Sequence, residues 1–570
     1  MIFVLYYDKL PTAKPTPTPI TPIPNSSHNN LTMGFAIKKP DDAAGSAAPA
    51  IIIGLFVAFG GVLFGYDTGT ISGILAMKYW RELFSTGYTN PKDNLPDITS
   101  SQSSMIVSLL SAGTFFGALF AAPMADYFGR RLAMILNTFV FCFGVILQTA
   151  ATAIPLFVAG RFFAGLGVGL LSATIPLYQS ETAPKWIRGT IVGAYQLAIT
   201  FGLLLAAIVN NSTKNRNDTG CYRIPVAVQF AWAIILVAGM IVLPETPRFL
   251  IKQDRHEEAA KALARLRRID VNDSAIIEEL AEIQANHEFE LRLGKASYWE
   301  IVRGSLGKRL ATGMAVQALQ QLAGVNFIFY YGTTFFQNSG IQNSFVITLI
   351  TNIINVVSTF PGLYMVEKWG RRPLLMFGAV GMCVSQLIVA IVGTVASSAV
   401  ANKVLIAFVC IYIFFFASSW GPVAWVVTGE LYPLKARAKC LSITTATNWL
   451  LNWAIAYATP YMVNDGPGNA NLQSKVFFIW GGFCFICAIF VYTCIYETKG
   501  LSLEQVDELY AKVSVAWKSV DFVPSVHYTD VRDVSESKAG NLADLEIDAN
   551  EKRSGEHATH MESIAAKTEV

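Results

Sequence analysis

The sequence has few charges for its length. Asp, Glu, Lys and Arg make up 15% of its 570 residues, whereas soluble globular domains carry about 25%. Apolar residues make up 53% of the chain and account for the difference. They are grouped in stretches of about 20 residues, the length of a helix that crosses a bilayer. The composition therefore predicts an integral membrane protein.

The sequence also lacks the residue patterns of an enzyme or of a metalloprotein. Its eight cysteines fall mostly within apolar stretches, where a thiol packs as a small apolar side chain. They show neither a disulfide framework nor metal-ligand spacing. No nucleophile paired with a base and no phosphate-binding loop is recognisable. We therefore expect no enzyme, no cofactor, no metal and no nucleic-acid partner.

About twelve apolar stretches follow one another along the chain. They lie near residues 51–76, 103–125, 132–153, 155–178, 189–212, 224–243, 310–336, 343–366, 373–396, 403–429, 438–463 and 474–496. Short loops rich in Lys and Arg alternate with loops poor in them, and the cation-rich loops of membrane proteins lie in the cytoplasm. Because the number of spans is even, we expect both termini in the cytoplasm.

A pattern of charged residues occurs twice, with the copies about 240 to 250 residues apart. The matching pairs are Asp126 and Glu367, Arg130 and Arg371, Arg131 and Arg372, Glu181 and Glu430, Arg188 and Arg437, and Glu245 and Glu497. Such a repeat predicts two fused copies of one six-helix unit, as in many secondary transporters. We hypothesise that these residues form a charge network that ties the cytoplasmic helix ends together while the cavity opens outward. The alternative is that they only set membrane topology.

These observations predict an all-α membrane protein with twelve transmembrane helices in two pseudo-symmetric six-helix bundles. The predicted parts are a disordered cytoplasmic N-terminus (1–48), a first bundle (49–246), a cytoplasmic helical linker (247–308), a second bundle (309–497) and a cytoplasmic, mostly disordered tail (498–570). Two sequons, at Asn211 and Asn217, lie in a loop assigned to the outside and predict a glycoprotein.

Two opposite charges lie inside the apolar spans of the first half. Asp67 is in the first span and Arg161 in the fourth. A charge at the bilayer centre costs about 2.5–3.5 kcal/mol on insertion scales, so it needs a partner or a proton. Pairing Asp67 with Arg161 would lower the cost for both. We favour a proton-coupling role for the pair over a permanent structural ion pair.

Uncharged amides are concentrated in spans five, seven, eight and eleven. Gln317, Gln320 and Gln321 are spaced for one face of a helix, and Asn448 and Asn452 lie one turn apart. Each amide donates and accepts hydrogen bonds, as the hydroxyls of a neutral polyol require. Such amides can also hold membrane helices together, but that role alone needs no clustering. The other members of the cluster are Gln196, Asn326 and Asn355.

Trp425 is a candidate for stacking on the apolar face of a sugar ring. It follows Gly421-Pro422, a pair that predicts a bend in the tenth span near the middle of the membrane. A lone membrane tryptophan is usually an anchor at the lipid–water interface, and Trp425 is too deep in its span for that role.

The chain resembles the sugar porters of the major facilitator superfamily over about residues 50–510, and in particular their fungal hexose branch. The motifs that carry the resemblance are Gly65-Tyr66-Asp67-Thr68-Gly69, the two Gly-Arg-Arg loops, Pro244-Glu245-Thr246-Pro247-Arg248, Gln320-Gln321-Leu322-Ala323-Gly324-Val325-Asn326 and Tyr330-Tyr331-Gly332-Thr333-Thr334-Phe335-Phe336. The resemblance implies the major facilitator fold. It also implies that a hexose is bound by Gln196, Gln320, Gln321, Asn326, Asn355, Trp425 and Asn448.

The resemblance further implies an outer gate at Tyr330 and Tyr331, and proton coupling through Asp67 and Arg161. We therefore expect a plasma-membrane transporter that moves a hexose, with glucose favoured, by alternating access. Proton symport is favoured over facilitated diffusion, although facilitators of this branch can carry the same aspartate. A transporter-like glucose sensor is the alternative from another class. The expected partners are the hexose, protons and the lipid bilayer.

Overall fold

The computed structural model of the chain describes residues 47–90, 96–183, 188–293, 297–341, 343–396, 398–433, 436–466, 468–501 and 503–523. The predicted disordered N-terminus lies almost wholly outside these ranges, since the first helix begins at Ala47. The cation-rich loop at 184–187 and the tail beyond residue 523 also lie outside them.

The first half of the chain forms a helical bundle. Its helices are α1 (Ala47–Ala58), α2 (Gly60–Ile74), α3 (Lys78–Phe84), α4 (Ser100–Phe128), α5 (Arg130–Ala150), α6 (Ile154–Thr182), α7 (Arg188–Thr213) and α8 (Gly220–Val242). A short antiparallel hairpin, β1 (Tyr88–Thr89) with β2 (Pro96–Asp97), precedes α4 and pairs Tyr88 with Asp97. Helix α4 packs on α6, α6 on α5, and α2 on α7.

Four helices lie in the segment expected to link the halves, and the second bundle follows them. The four are α9 (Pro247–Lys252), α10 (His256–Arg267), α11 (Ser274–Leu293) and α12 (Tyr298–Ile301). The second bundle contains α13 (Gly304–Leu322), α14 (Val325–Asn338), α15 (Ser344–Trp369), α16 (Arg371–Val395), α17 (Ala399–Phe415), α18 (Gly421–Glu430), α19 (Arg437–Val463) and α20 (Val476–Cys494). The bundles pack on each other mainly through α4 with α19, α7 with α15 and α2 with α14.

Ten segments of the described chain are long and apolar enough to cross a membrane. Two less apolar spans complete the predicted set of twelve. One is α13 with α14 and the other is α19. These two spans carry most of the clustered amides, which lower their hydropathy. The spans that look least like membrane helices are therefore the ones that build the candidate site.

The seventh span is broken between α13 and α14. Gly324 adopts a left-handed conformation with φ of +85°, which an L side chain rarely adopts. The sequence analysis did not predict this break, because a single glycine in a membrane helix is a weak signal. The tenth span is irregular where Gly421-Pro422 predicted a bend, but the irregularity begins earlier, as a π-helical turn at Phe416–Trp420. Pro422 lacks an N–H and crowds the carbonyl four residues before it, so the helix widens ahead of the proline.

The beginning of the tail differs from the expected disorder. Residues Leu503–Lys512 form α21, and a 3-10 turn follows at Ala516–Asp521. Val506, Leu509 and Ala516 are buried against the second bundle. An apolar residue recurs every third or fourth position here, and this short amphipathic face was overlooked within a polar stretch.

Candidate functional site

A network of carboxamides joins α13 to α19. Asn448 Nδ2 donates to Gln317 Oε1 at 2.6 Å and to Gln320 Oε1 at 2.8 Å. Gln321 Nε2 donates to Asn448 Oδ1 at 3.1 Å. Gln320 Nε2 also donates to the backbone carbonyls of Trp420 and Gly421, at 2.9 and 3.1 Å. The helical spacing predicted a polar face on the seventh span and another on the eleventh. In the structure these two faces contact each other.

The network continues across the break in the seventh span and into the first half. The Asn326 amide donates to Gln321 Oε1, and Asn452 Nδ2 donates to the same oxygen at 3.4 Å. Tyr330 Oη donates to Asn452 Oδ1 at 3.1 Å. Ser111 of α4 donates to that oxygen at 2.7 Å. These side chains are buried and uncharged, so the network offers donors and acceptors without a net charge.

Three predicted site residues lie apart from this network. Asn355 on α15 is buried and Gln196 on α7 is half-buried, while Trp425 on α18 is 38% exposed. Within the described ranges, no hydrogen bond joins these three side chains to the amide network. Along α18, Trp425 lies level with the network, which bonds the Gly421 carbonyl before it and the Thr428 hydroxyl after it. The role of all three in sugar binding stays a prediction.

Tyr330 and Tyr331 both connect α14 to α19. Tyr330 bonds Asn452, and Tyr331 Oη donates to the Ala456 carbonyl at 2.8 Å. Both rings are buried. The gate role of the two tyrosines stays a prediction, and Tyr330 is in addition part of the amide network.

Asp67 on α2 and Arg161 on α6 form a buried ion pair. Arg161 Nη1 donates to both Asp67 carboxylate oxygens, at 3.1 and 3.0 Å. Arg161 Nε donates to the Ile106 carbonyl of α4 at 3.2 Å. The two side chains are 0% and 1% exposed. Both side chains are shielded from solvent, so the pair holds two charges that would each be costly alone.

The repeated charges form two clusters of the same geometry. In the first cluster, Arg130 donates through Nε and Nη2 to Glu181 Oε1, at 3.2 and 2.9 Å. The backbone N–H groups of Arg130 and Arg131 donate to Glu245, and Thr246 Oγ1 donates to Glu181 at 2.5 Å. Burial raises the pKa of the Glu245 carboxyl, and these backbone donors oppose the shift.

The second cluster repeats the residue pairs of the first, except that Arg371 uses both oxygens of its glutamate whereas Arg130 uses one. Arg371 donates through Nε and Nη2 to Glu430, at 3.1 and 2.7 Å. Backbone N–H groups of Arg371 and Arg372 donate to Glu497, each at 3.0 Å, and Thr498 Oγ1 donates to Glu430 at 2.7 Å. The threonine is thus a further member of the repeat.

A glycine precedes each arginine pair for a steric reason. Gly129 and Gly370 have φ of +84° and +97°. A Cβ at either position would lie 2.6 Å from a carboxylate oxygen, of Glu245 or of Glu497. The glycine therefore allows the backbone to approach the acid closely.

Several predicted members of the charge network bind carbonyl groups instead of carboxylates. The guanidinium of Arg131 donates to the Met240 and Ile241 carbonyls, that of Arg372 to Tyr492, and that of Arg437 to Gly429. Asp126 and Glu367 each pair with the arginine four residues later, at 3.5 and 3.4 Å. The Arg188 side chain lies outside the described residues. Each cluster joins helix ends within one half of the chain. This differs from the hypothesis of a network that ties the helix ends together while the cavity opens outward.

Hydrogen bonds between the two halves lie at the helix ends opposite the charge clusters. Ser100 Oγ accepts from the Asn464 and Asn469 amides, at 3.2 and 3.0 Å. Ser104 Oγ donates to the Tyr457 carbonyl at 2.7 Å, and Ser72 bonds Thr333 at 3.1 Å. With Ser111, these residues form what we call the serine seam. The seam closes the end of the molecule at which α4 begins, whereas α4 ends beside Arg130 and the first charge cluster.

Comparison with known proteins decides the family. The model of the family described as "Sugar (and other) transporter" matches residues 53–510. The chain belongs to this family. Among its relatives, the major facilitator-type transporter ecdD of Aspergillus rugulosus is 64% identical over 86% of this chain and 93% of its own. The probable glucose transporter rco-3 of Neurospora crassa is 54% identical over 90% and 87%.

Two further comparisons concern a relative that is a glucose sensor and a solved structure with the same fold. The high glucose sensor RGT2 of Saccharomyces cerevisiae is 43% identical over 81% of this chain, but this chain matches only 61% of the sensor. The xylose transporter XylE of E. coli, in a partially occluded inward open conformation, superimposes with a TM-score of 0.66 at 25% identity, covering 80% of this chain and all of XylE. The predicted resemblance and the twelve-helix fold are thereby confirmed, and the chain is a membrane transporter of the major facilitator superfamily, not an enzyme.

The serine seam of this sugar transporter was missed by the sequence analysis. Ser104 and Ser111 share one face of α4, since they are seven residues apart. A polar stripe on an apolar helix was therefore visible in the sequence. Serine in a membrane helix usually bonds its own backbone, so the stripe alone did not predict contacts between the halves.

The paired acids of Arg371 allow a matched test of the second charge cluster. We expect Glu430→Gln to destabilise this sugar transporter by about 1.5–3 kcal/mol, because it weakens charge-assisted bonds to Arg371. Glu367→Gln removes an acid that bonds the same arginine but is 70% exposed, so it should cost less than about 1 kcal/mol. Thermal unfolding of the two purified variants in one detergent measures the difference. Equal losses would show that Glu430 contributes no more than a surface charge.

Proposed function

We propose that this chain is a plasma-membrane hexose transporter, with glucose as its substrate, that works by alternating access and is coupled to protons. The observation that carries the proposal is the buried, uncharged amide network of α13, α14 and α19. Each of its groups can donate or accept a hydrogen bond. A sugar hydroxyl needs both kinds of partner once its water is removed, and can replace an amide in such a bond at little cost.

The arrangement of the two halves supports alternating access. The amide network lies between the serine seam and the charge clusters, and Ser111 links it to the first half. The cation-rich ends belong in the cytoplasm, so the seam faces outward and both termini lie inside. In the conformation described here the outer end is closed, and the exposed Trp425 lies beside the network on α18. A hexose would leave towards the cytoplasm past this indole.

The buried pair of Asp67 and Arg161 supports proton coupling. A carboxylate that neutralises an arginine inside a membrane can release it by taking a proton. The loss of the ion pair would then free α2 from α6 and change the packing of the first half. XylE is a proton:xylose symporter, and its structure with bound 6-bromo-6-deoxy-D-glucose superimposes on this chain at 26% identity with a TM-score of 0.66. Facilitated diffusion is the alternative in which the same pair stays ionised throughout.

A glucose sensor is the second candidate, because the sensor RGT2 is 43% identical to this chain. A transporter carries glucose across the membrane, whereas a sensor binds glucose and signals without carrying it. Expression of this chain in a fungal host that lacks its own hexose carriers should restore uptake of labelled glucose. Absence of uptake by protein that reaches the cell surface, together with glucose-dependent signalling, would support the sensor and overturn the transporter.

We expect Gln321→Ala to weaken hexose binding by about 1–3 kcal/mol, since it leaves a buried hydroxyl without its partner. The half-saturation concentration for uptake of labelled glucose measures the effect. Gln179→Ala is the matched control. That glutamine is equally buried but bonds the carbonyls of Gly54 and Ile191 in the first half. An unchanged half-saturation in the Gln321 variant would make this side chain structural.

A further inference from the structure

At the break in the seventh span, side chains of three other helices contact the backbone carbonyl of Ala323. Ala323 follows α13, where the last carbonyls of a helix lack partners within it. Its oxygen accepts from Gln386 Nε2 of α16 at 2.8 Å and from Tyr412 Oη of α17 at 2.9 Å. The Cys484 thiol of α20 lies 4.0 Å from the same oxygen. We call this group the break socket.

The break socket is dry and tightly packed. Gln386 is 1% exposed, and Ala323, Tyr412 and Cys484 are each 0% exposed. A further thiol, that of Cys487, lies 3.8 Å from the Leu319 carbonyl one turn earlier. Because the Ala323 carbonyl is buried, solvent cannot replace a donor that is removed. The loss of Gln386 or Tyr412 would leave the carbonyl with one hydrogen bond fewer.

The break socket lies directly next to the amide network along the chain. Gln320 and Gln321 occupy the last turn of α13, immediately before Ala323. Asn326 is in the first turn of α14, directly after the break, and Tyr330 lies one turn further on. The bond from Asn326 to Gln321 spans the break. The angle between α13 and α14 therefore sets the distance between these groups, and the socket holds Ala323, the residue directly before the left-handed Gly324.

We propose that Gln386 and Tyr412 are positioning residues of the hexose site, which fix the break between α13 and α14 and thereby the placement of Gln321 and Asn326. This inference rests on the proposed function, because it assigns these groups to the binding of a hexose. Neither side chain touches the sugar. Both act through the Ala323 carbonyl.

Tyr412→Phe tests the proposal, since it removes one donor and keeps the ring. We expect the half-saturation concentration for labelled glucose to rise about three- to tenfold, the effect of one lost hydrogen bond. The maximal rate per transporter at the cell surface should change less than twofold. In a Gln321→Ala background the same substitution should raise half-saturation less than twofold, because Gln321 is absent and Asn326 has already lost the oxygen that holds it. Residues that act through one another are non-additive in this way.

Two further variants keep the test decisive. Tyr432→Phe is the control, because the Tyr432 hydroxyl is equally buried in the same half but bonds Thr444, at 2.6 Å. It should leave half-saturation unchanged. Gln386→Met removes the other donor at similar volume and should reproduce the Tyr412→Phe result.

Unchanged half-saturation in Tyr412→Phe and Gln386→Met would overturn the proposal, as would an equal rise in the Gln321→Ala background. Loss of folded protein in both variants would assign the socket to fold stability alone and would also overturn it. Failure of the proposed function is distinct, because the unmodified chain would then take up no hexose.

Discussion

Asp67→Asn is expected to abolish the accumulation of hexose against a gradient while exchange of hexose across the membrane continues. An asparagine cannot take up and release a proton, so it cannot couple the sugar step to the proton gradient. The substitution also leaves Arg161, which is 1% exposed, without an opposite charge. The ratio of labelled glucose inside to outside, measured in a host without its own hexose carriers, should fall from above one to one.

Asp126→Asn is the matched control for this experiment. Asp126 pairs with Arg130 and Lys252 near the end of α4, where its side chain is 52% exposed. Accumulation should therefore persist in the control. Undiminished accumulation in Asp67→Asn would refute the coupling role. If the unmodified chain accumulates no sugar, and robust uptake does not make an unbuffered cell suspension more alkaline, facilitated diffusion is the correct mode.

Gly324→Val is expected to remove nearly all folded, active transporter. A left-handed backbone costs a residue with a Cβ about 1–2 kcal/mol. A Cβ at Gly324 would also lie 2.5 Å from Cγ of Trp480, and overpacking of this kind costs about 1–3 kcal/mol. Together these losses approach the whole stability of many domains. The yield of monodisperse protein in detergent and the uptake of labelled glucose both report the loss.

Gly332→Ala provides the comparison on the same helix. A Cβ at Gly332 would meet no atom closer than 3.6 Å, which is an ordinary contact. This variant should express and transport like the unmodified chain. Normal yield and uptake in Gly324→Val would contradict the conformational requirement at the break.

The sequence predicted which faces of the helices are polar, but not which faces meet. Helical spacing put Gln317, Gln320 and Gln321 on one side of their span, and Asn448 with Asn452 on one side of another. Their contact depends on how α13 packs on α19, which local patterns do not determine. The resemblance to sugar porters implied that amides of both spans bind one hexose, without saying which amides contact each other. It also named Trp425 and Gln196, which the structure leaves outside the hydrogen-bonded network.

The duplicated charges were the most predictable part of the site. Equal offsets in two halves imply similar geometry, and the Arg130 and Arg371 clusters join the same pairs of residues. The partner of each guanidinium was harder to predict, because a carbonyl competes with a carboxylate once both are buried. Arg131 and Arg372 illustrate this, since each guanidinium binds carbonyls while its backbone N–H binds the acid. Sequence spacing alone contains no information on that choice.

The serine seam has a consequence for the environment in which the transporter works. Its hydrogen bonds join hydroxyls, amides and carbonyls, all of them neutral, and water can replace each when the halves part. Opening of the outer face should then depend little on dissolved ions, because screening acts on charges. The two halves should therefore part at the seam with nearly the same ease at low and at high ionic strength.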